Sequence, residues 1–78
     1  MSIDYSAMLT DAQKRQLVEN RLAQFAAEAY QHTLNLKTAE ALESETQIEN
    51  TKKALTTLDA AIKIHQEELA KLPPAELE

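Results

Sequence analysis

Residues 18–42, with the sequence VENRLAQFAAEAYQHTLNLKTAEAL, carry apolar side chains on two different faces when they are read as a helix. The first stripe steps by four and three residues and comprises Val18, Leu22, Phe25, Ala29, His32, Leu36 and Ala39. The second lies more than a quarter-turn away and comprises Ala23, Ala27, Tyr30, Leu34 and Ala41, with Ala26 between the two. A helix with a single packing partner needs only one apolar stripe. The sequence therefore predicts that this helix packs against more than one neighbour.

The chain before this stretch contains a helix start signal. Thr10 and Gln13 have the spacing of a capping box, in which each residue's side chain accepts a hydrogen bond from the other's backbone N–H. From there to Glu43 the chain has no proline and no glycine and is rich in strong helix formers. We therefore predict a first helix over residues 10–43.

Two further start signals overlap in the middle of the chain, Ser44 with Gln47 and Thr46 with Glu49. The apolar residues beyond them repeat every seven positions, but they are out of phase with the seam of the first helix. A single straight helix would therefore swing its apolar stripe to another face. We predict a reversal near residues 43–46 and a second helix over 46–72.

The predicted fold is all-α, with two long antiparallel helices forming a coiled-coil-like hairpin. Its apolar seam is expected to comprise Val18, Leu22, Phe25, Ala29, Leu36, Ala39, Ile48, Leu55, Leu58, Ile62, Leu69 and Leu72. A turn between Glu43 and Ser44 places Ala39 opposite Ile48, so that a small side chain meets a large one, as close packing requires. Residues 1–9 are expected to form an N-terminal arm. Pro73 and Pro74 should end the second helix and begin a tail over 73–78.

A lone hairpin of this size is marginally stable, because side chains between only two helices stay half-exposed. The second stripe of the first helix offers a remedy. Its alanines allow another helix to approach closely, and Tyr30 and Leu34 can fill the flank. We expect this oligomer face (Ala23, Ala26, Ala27, Tyr30, Leu34 and Ala41) to mediate self-association. A two-fold dimer forming a four-helix bundle is the simplest form, and a larger ring is the alternative.

The composition disfavours several classes of function. The chain has 78 residues, no cysteine, no glycine and a formal net charge of −5, which opposes direct binding to nucleic acid or an anionic membrane. Its N-terminal residues lack the basic and apolar segments of a signal peptide, and no segment is apolar enough to span a bilayer. A cytoplasmic protein is therefore expected. The serines have no predicted histidine neighbour, so we expect neither an enzyme nor a cofactor.

The histidines are the only side chains with an ordinary pKa near neutrality. His32 and His65 each have a glutamate within one helical turn, but the repeated Glu-x-x-His motif of a di-iron bundle is absent. We therefore predict no metal site. Seam histidines commonly tune the register of the helices, and a pH-sensitive assembly is the alternative role for His32 and His65, because a charged imidazole at the seam loses hydration.

Charged residues gather at the two ends of the predicted hairpin. Acidic residues surround the turn, namely Glu40, Glu43, Glu45 and Glu49. Arg21, near the opposite end, is expected to approach Glu67 or Glu68 across the hairpin. The acidic tip is either a binding surface for a basic partner or a solvated turn.

The sequence favours a non-enzymatic protein–protein interaction module, an oligomeric adaptor, assembly factor or structural subunit. Its expected partners are a second copy of itself and another protein of unknown identity. One alternative is a small acidic inhibitor that blocks a larger protein, including one that binds nucleic acid. The other is an oligomer that binds a small ligand or metal between subunits, around Tyr30, His32 or Arg21.

Overall fold

A computed structural model describes residues 3–73, which form two long α-helices preceded by a short 3₁₀ helix. The 3₁₀ helix spans Tyr5–Met8, α1 spans Asp11–Ala41 and α2 spans Glu45–Lys71. The two α-helices pack against each other as a hairpin, which confirms the predicted all-helical hairpin fold. The expected tail over 73–78 lies, except for Pro73, outside the described residues.

The start of α1 is fixed by the capping box that the sequence predicts. The Thr10 hydroxyl accepts a hydrogen bond from the Gln13 backbone N–H at 3.1 Å, and the Gln13 side-chain oxygen accepts one from the Thr10 backbone N–H at 2.9 Å. These bonds satisfy two backbone donors at the helix end. Asp11 adds negative charge in the first turn, where the helix dipole favours it.

The reversal between the helices is built around a left-handed residue. Glu43 has a φ of 55°. The Ser44 N–H donates to the Ala39 carbonyl at 3.0 Å, and the Glu43 N–H donates to the Glu40 carbonyl at 3.1 Å. This pair of bonds is a Schellman motif, which usually places glycine at the left-handed position. Because the chain has no glycine, a glutamate adopts this conformation instead.

Helix α2 starts on the first of the two overlapping signals. The Ser44 hydroxyl accepts a hydrogen bond from the Gln47 N–H at 3.4 Å, and the helix begins at Glu45. The second possible cap, Thr46, is not used, because it lies inside the first turn of α2. Ser44 is the N-cap residue instead.

The end of α2 is set by the proline that follows it. Leu72 has an extended backbone with ψ 148°, as expected for a residue that precedes proline. The Arg15 guanidinium donates a hydrogen bond to the Pro73 carbonyl. This contact joins the start of α1 to the end of α2 at the open end of the hairpin.

The contact between α1 and α2 buries little surface completely. Among residues 3–73, only Ala39 and Leu58 are buried, with 2% and 8% of their surface exposed. The other predicted seam residues are half-buried, namely Val18, Leu22, Phe25, Ala29, Leu36, Ile48, Leu55, Ile62, Leu69 and Leu72. Two helices packed side by side therefore leave most seam residues partly exposed to solvent.

Candidate protein-interaction face

The second stripe of α1 lies on the side of the helix that faces away from α2. Ala23, Ala27, Tyr30 and Leu34 are spaced by four, three and four residues, so they share one face of the helix. All four are exposed, with exposed fractions of 66% for Tyr30 and 37% for Leu34. Ala26 and Ala41, the remaining predicted members of the oligomer face, are also exposed. In the single chain this face therefore has no neighbour among the described residues.

The shape of this face suits a second helix. Three alanines, Ala23, Ala26 and Ala27, form a shallow region at its N-terminal end, where another helix axis could approach closely. Tyr30 and Leu34 follow as a raised apolar region, and covering the apolar area that they still expose is worth about 25 cal/mol per Å². The face thus has small side chains in its N-terminal half and large side chains in its C-terminal half.

The accessible surface of the chain is large for its mass. It amounts to 6336 Å², whereas a compact folded monomer of 8.7 kDa exposes about 4,700 Å². The excess of about 1,600 Å² on one chain is about twice the roughly 800 Å² that each partner contributes to a standard protein–protein interface. The hairpin thus has area to spare for a partner.

The two histidines both lie half-buried on the seam, and one makes specific contacts. The His65 ring meets the Phe25 ring edge-on, with centroids 4.9 Å apart and an interplanar angle of 76°. Its Nδ1 lies 2.7 Å from the Ala61 carbonyl oxygen, as in a hydrogen bond. These contacts orient the imidazole within the seam. The pH sensitivity expected of His32 and His65 stays a prediction.

Arg21 does not form the expected ion pair with Glu67 or Glu68. Its guanidinium instead donates to the Gln24 side-chain oxygen at 3.1 Å and lies 5.4 Å from the centre of the Phe25 ring, a cation–π arrangement. Glu68 is engaged by Lys71, one helical turn away, at 2.9 Å. The predicted ion pair is wrong, because Arg21 and Glu68 each contact a residue on their own helix.

The remaining ion-pair geometry is local and exposed. The hydrogen bond from Lys71 to Glu68 and the charge of that carboxylate raise the pKa of Lys71 above its ordinary value. Around the turn, Glu49 lies 3.8 Å from Lys53, and Glu40, Glu43 and Glu45 are exposed. The acidic tip is therefore a solvated surface in the single chain.

A cleft at the open end of the hairpin was missed by sequence reasoning. It has a volume of about 240 Å³ and is lined by Tyr5, Ser6, Leu9, Lys14, Val18, Glu68 and Leu72. Leu9 immediately precedes the cap of α1 and Lys14 is the fourth residue of the helix, the positions of a hydrophobic staple. The sequence did not reveal this hydrophobic staple because Lys14 occupies the position that is usually apolar. The methylene stem of a lysine can still pack there.

Within residues 3–73, no three or more His, Cys, Asp or Glu side chains are grouped so that they could hold a metal ion. Over the same residues, neither helix has the length and apolarity to cross a bilayer. No family model matches the chain, and neither a curated protein nor a solved structure is significantly similar to it.

Proposed function

We propose that this chain is a non-enzymatic protein–protein interaction module that self-associates through the outer face of α1. The assembly is a two-fold dimer, a four-helix bundle in which the two α1 helices are central. In this form the protein acts as an adaptor, assembly factor or structural subunit. The cytoplasmic location expected from the composition belongs to the same proposal.

The observation that supports the proposal best is the mismatch between exposed apolar surface and buried core. Only two of the described side chains are buried, yet Tyr30 and Leu34 are exposed beside three alanines. A second copy that covers this face would remove apolar surface from water, and each Å² removed stabilises the dimer by about 25 cal/mol. It would also enclose α1 between two neighbours, which is what two apolar stripes require.

The test is a charge substitution on the face with a matched control on α2. Leu34→Glu places a carboxylate in the proposed interface twice, once from each copy, and burying an unpaired carboxylate is strongly unfavourable. We expect dimer affinity to fall by at least about 100-fold, measured by sedimentation equilibrium. Ile64→Glu is the control, because Ile64 is 57% exposed on the outside of the bundle. Circular dichroism establishes that both variants remain helical.

The sedimentation results for the two variants test whether the outer face of α1 is the dimer interface. A dimer that persists in Leu34→Glu, or that is lost equally in Ile64→Glu, contradicts the assignment of the interface. Selective loss in Leu34→Glu supports it. Affinity capture with wild type and Leu34→Glu then tests whether the bundle presents a surface to another protein.

An acidic inhibitor is the second candidate, and the exposed glutamates around the turn are the observation that favours it. Glu40, Glu43 and Glu45 project from one end of the hairpin, and the formal net charge is −5. Such a tip could engage a basic site on a larger protein. Competition between the chain and nucleic acid for a captured partner would identify this activity, and substitution of the three glutamates by glutamine should abolish it.

A further inference from the structure

The outer face of α1 favours one relative orientation of two copies, because its small and large residues occupy different halves of the face. From the N-terminal side, the stripe on α1 runs Ala23, Ala27, Tyr30, Leu34. Two copies in parallel would place alanine against alanine at one end and Tyr30 against Tyr30 at the other. That arrangement leaves a void beside the alanines and crowds the large side chains, whereas protein interiors pack at nearly constant density.

We infer that two copies pair their α1 helices antiparallel, with the two-fold axis passing between Glu28 and Ala29. This inference rests on the proposed function and specifies its geometry. Each small residue then meets a large one, with Ala23 opposite Leu34 and Ala27 opposite Tyr30. The two-fold symmetry repeats both pairs on the other side of the axis, as an isologous interface requires.

Neighbouring registers lack this complementarity. Sliding one helix by a heptad in one direction places Tyr30 opposite Leu34 and sets Ala27 against Lys37. Sliding it in the other direction places Ala23 opposite Ala27, which leaves a cavity. A register that either crowds or empties the interface is destabilised, since both overpacking and cavities lower stability. Of these three registers, only the proposed one places a small residue opposite a large one at both positions.

The ends of the same register are polar. Asn20 of one copy lies opposite Lys37 of the other, and Glu19 lies beside that lysine. Asn20, Lys37 and Glu19 are all exposed in the single chain. The apolar centre is thus bounded at both ends by groups that can pair or stay hydrated, the arrangement typical of a protein interface.

The absence of cysteine from the sequence makes the register directly measurable by disulfide trapping. In the proposed dimer, a mixture of Ala23→Cys chains and Leu34→Cys chains forms a mixed disulfide, because these positions face each other. Ala23→Cys alone does not, since its two copies lie about 16 Å apart along the axis at 1.5 Å per residue. A disulfide needs Cα atoms within about 7 Å.

A second pair of cysteine variants tests the same register in case a variant of the first pair folds poorly. Ala27→Cys mixed with Tyr30→Cys should give the mixed disulfide in preference to either homodimeric one. Crosslinking of both Ala23→Cys with itself and Leu34→Cys with itself would overturn the antiparallel arrangement, because only parallel copies place each of these residues opposite its own copy. Crosslinking of Ala23→Cys with Ala27→Cys, or of Tyr30→Cys with Leu34→Cys, in preference to the proposed pairs would overturn the register.

Sedimentation of the reduced variants separates an error in the register from an error in the oligomeric state. If they are dimeric but neither proposed pair crosslinks, the register is wrong and self-association stands. If wild type is monomeric at micromolar concentration, the proposed function fails together with the register.

Discussion

Replacing Glu43 by glycine should stabilise the hairpin, because Glu43 adopts a left-handed backbone conformation with φ 55°. For an L-residue with a Cβ atom this conformation costs roughly 1–2 kcal/mol. Glycine avoids the steric cost but loses more conformational freedom on folding, which offsets about 0.5–1 kcal/mol. The net expectation is a gain of about 0.75 kcal/mol, within a range of about 0–1.5 kcal/mol. For a chain of this size the central value corresponds to an increase in Tm of about 3–6 °C.

The measurement is thermal unfolding followed by circular dichroism at one fixed chain concentration, because a self-associating protein has a concentration-dependent Tm. Glu43→Ala is the matched control, since it removes the same charge but keeps the Cβ atom. Glu40→Gly is the second control and should lose about 1 kcal/mol, because Glu40 lies within α1. An equal gain in Glu43→Ala would assign the effect to charge. A loss of stability in Glu43→Gly would refute the left-handed turn.

Three further predictions concern packing, capping and pH. Leu58→Ala should cost about 2–4 kcal/mol in urea unfolding because Leu58 is 8% exposed, whereas Leu42→Ala, at a residue 66% exposed, should change stability by less than about 0.5 kcal/mol. Thr10→Ala removes one half of the capping box and should cost about 1 kcal/mol, and an unchanged urea midpoint would contradict that role. Because Glu68 raises the pKa of Lys71 above 10.5, their pairing contributes to stability below pH 10.5 and is lost as pH rises through the raised value. Glu68→Gln should therefore show a smaller alkaline loss of stability than wild type, and equal losses in the two proteins would argue against the pair.

The helices and their pairing could be predicted because several local signals agree. The cap at Thr10, the seven-residue spacing of apolar positions and the phase change after Glu43 all favour a hairpin. Each signal reflects chemistry within one or two helical turns, which a sequence displays directly. The start of α2 was ambiguous for the same reason, since Ser44 and Thr46 are both good caps and only one can be used.

The features that were missed lie where the sequence allows more than one conformation or more than one contact partner. No glycine marks the left-handed residue of the turn, so the conformation of Glu43 follows from closing the hairpin. The preference of Arg21 for Gln24 and the Phe25 ring depends on which groups are nearest in space. Lys14 in the cleft at the open end disguises a staple because its charged end hides an apolar stem. The sequence lists the possible partners at each of these positions but does not show which one a side chain takes.

The mass of the wild-type chain in solution decides whether two copies associate through the outer face of α1. Sedimentation equilibrium at micromolar concentration should give twice the 8.7 kDa of one chain, with helical content retained. A folded, helical species of 8.7 kDa under the same conditions would contradict the claim that the outer face of α1 is covered by a second copy.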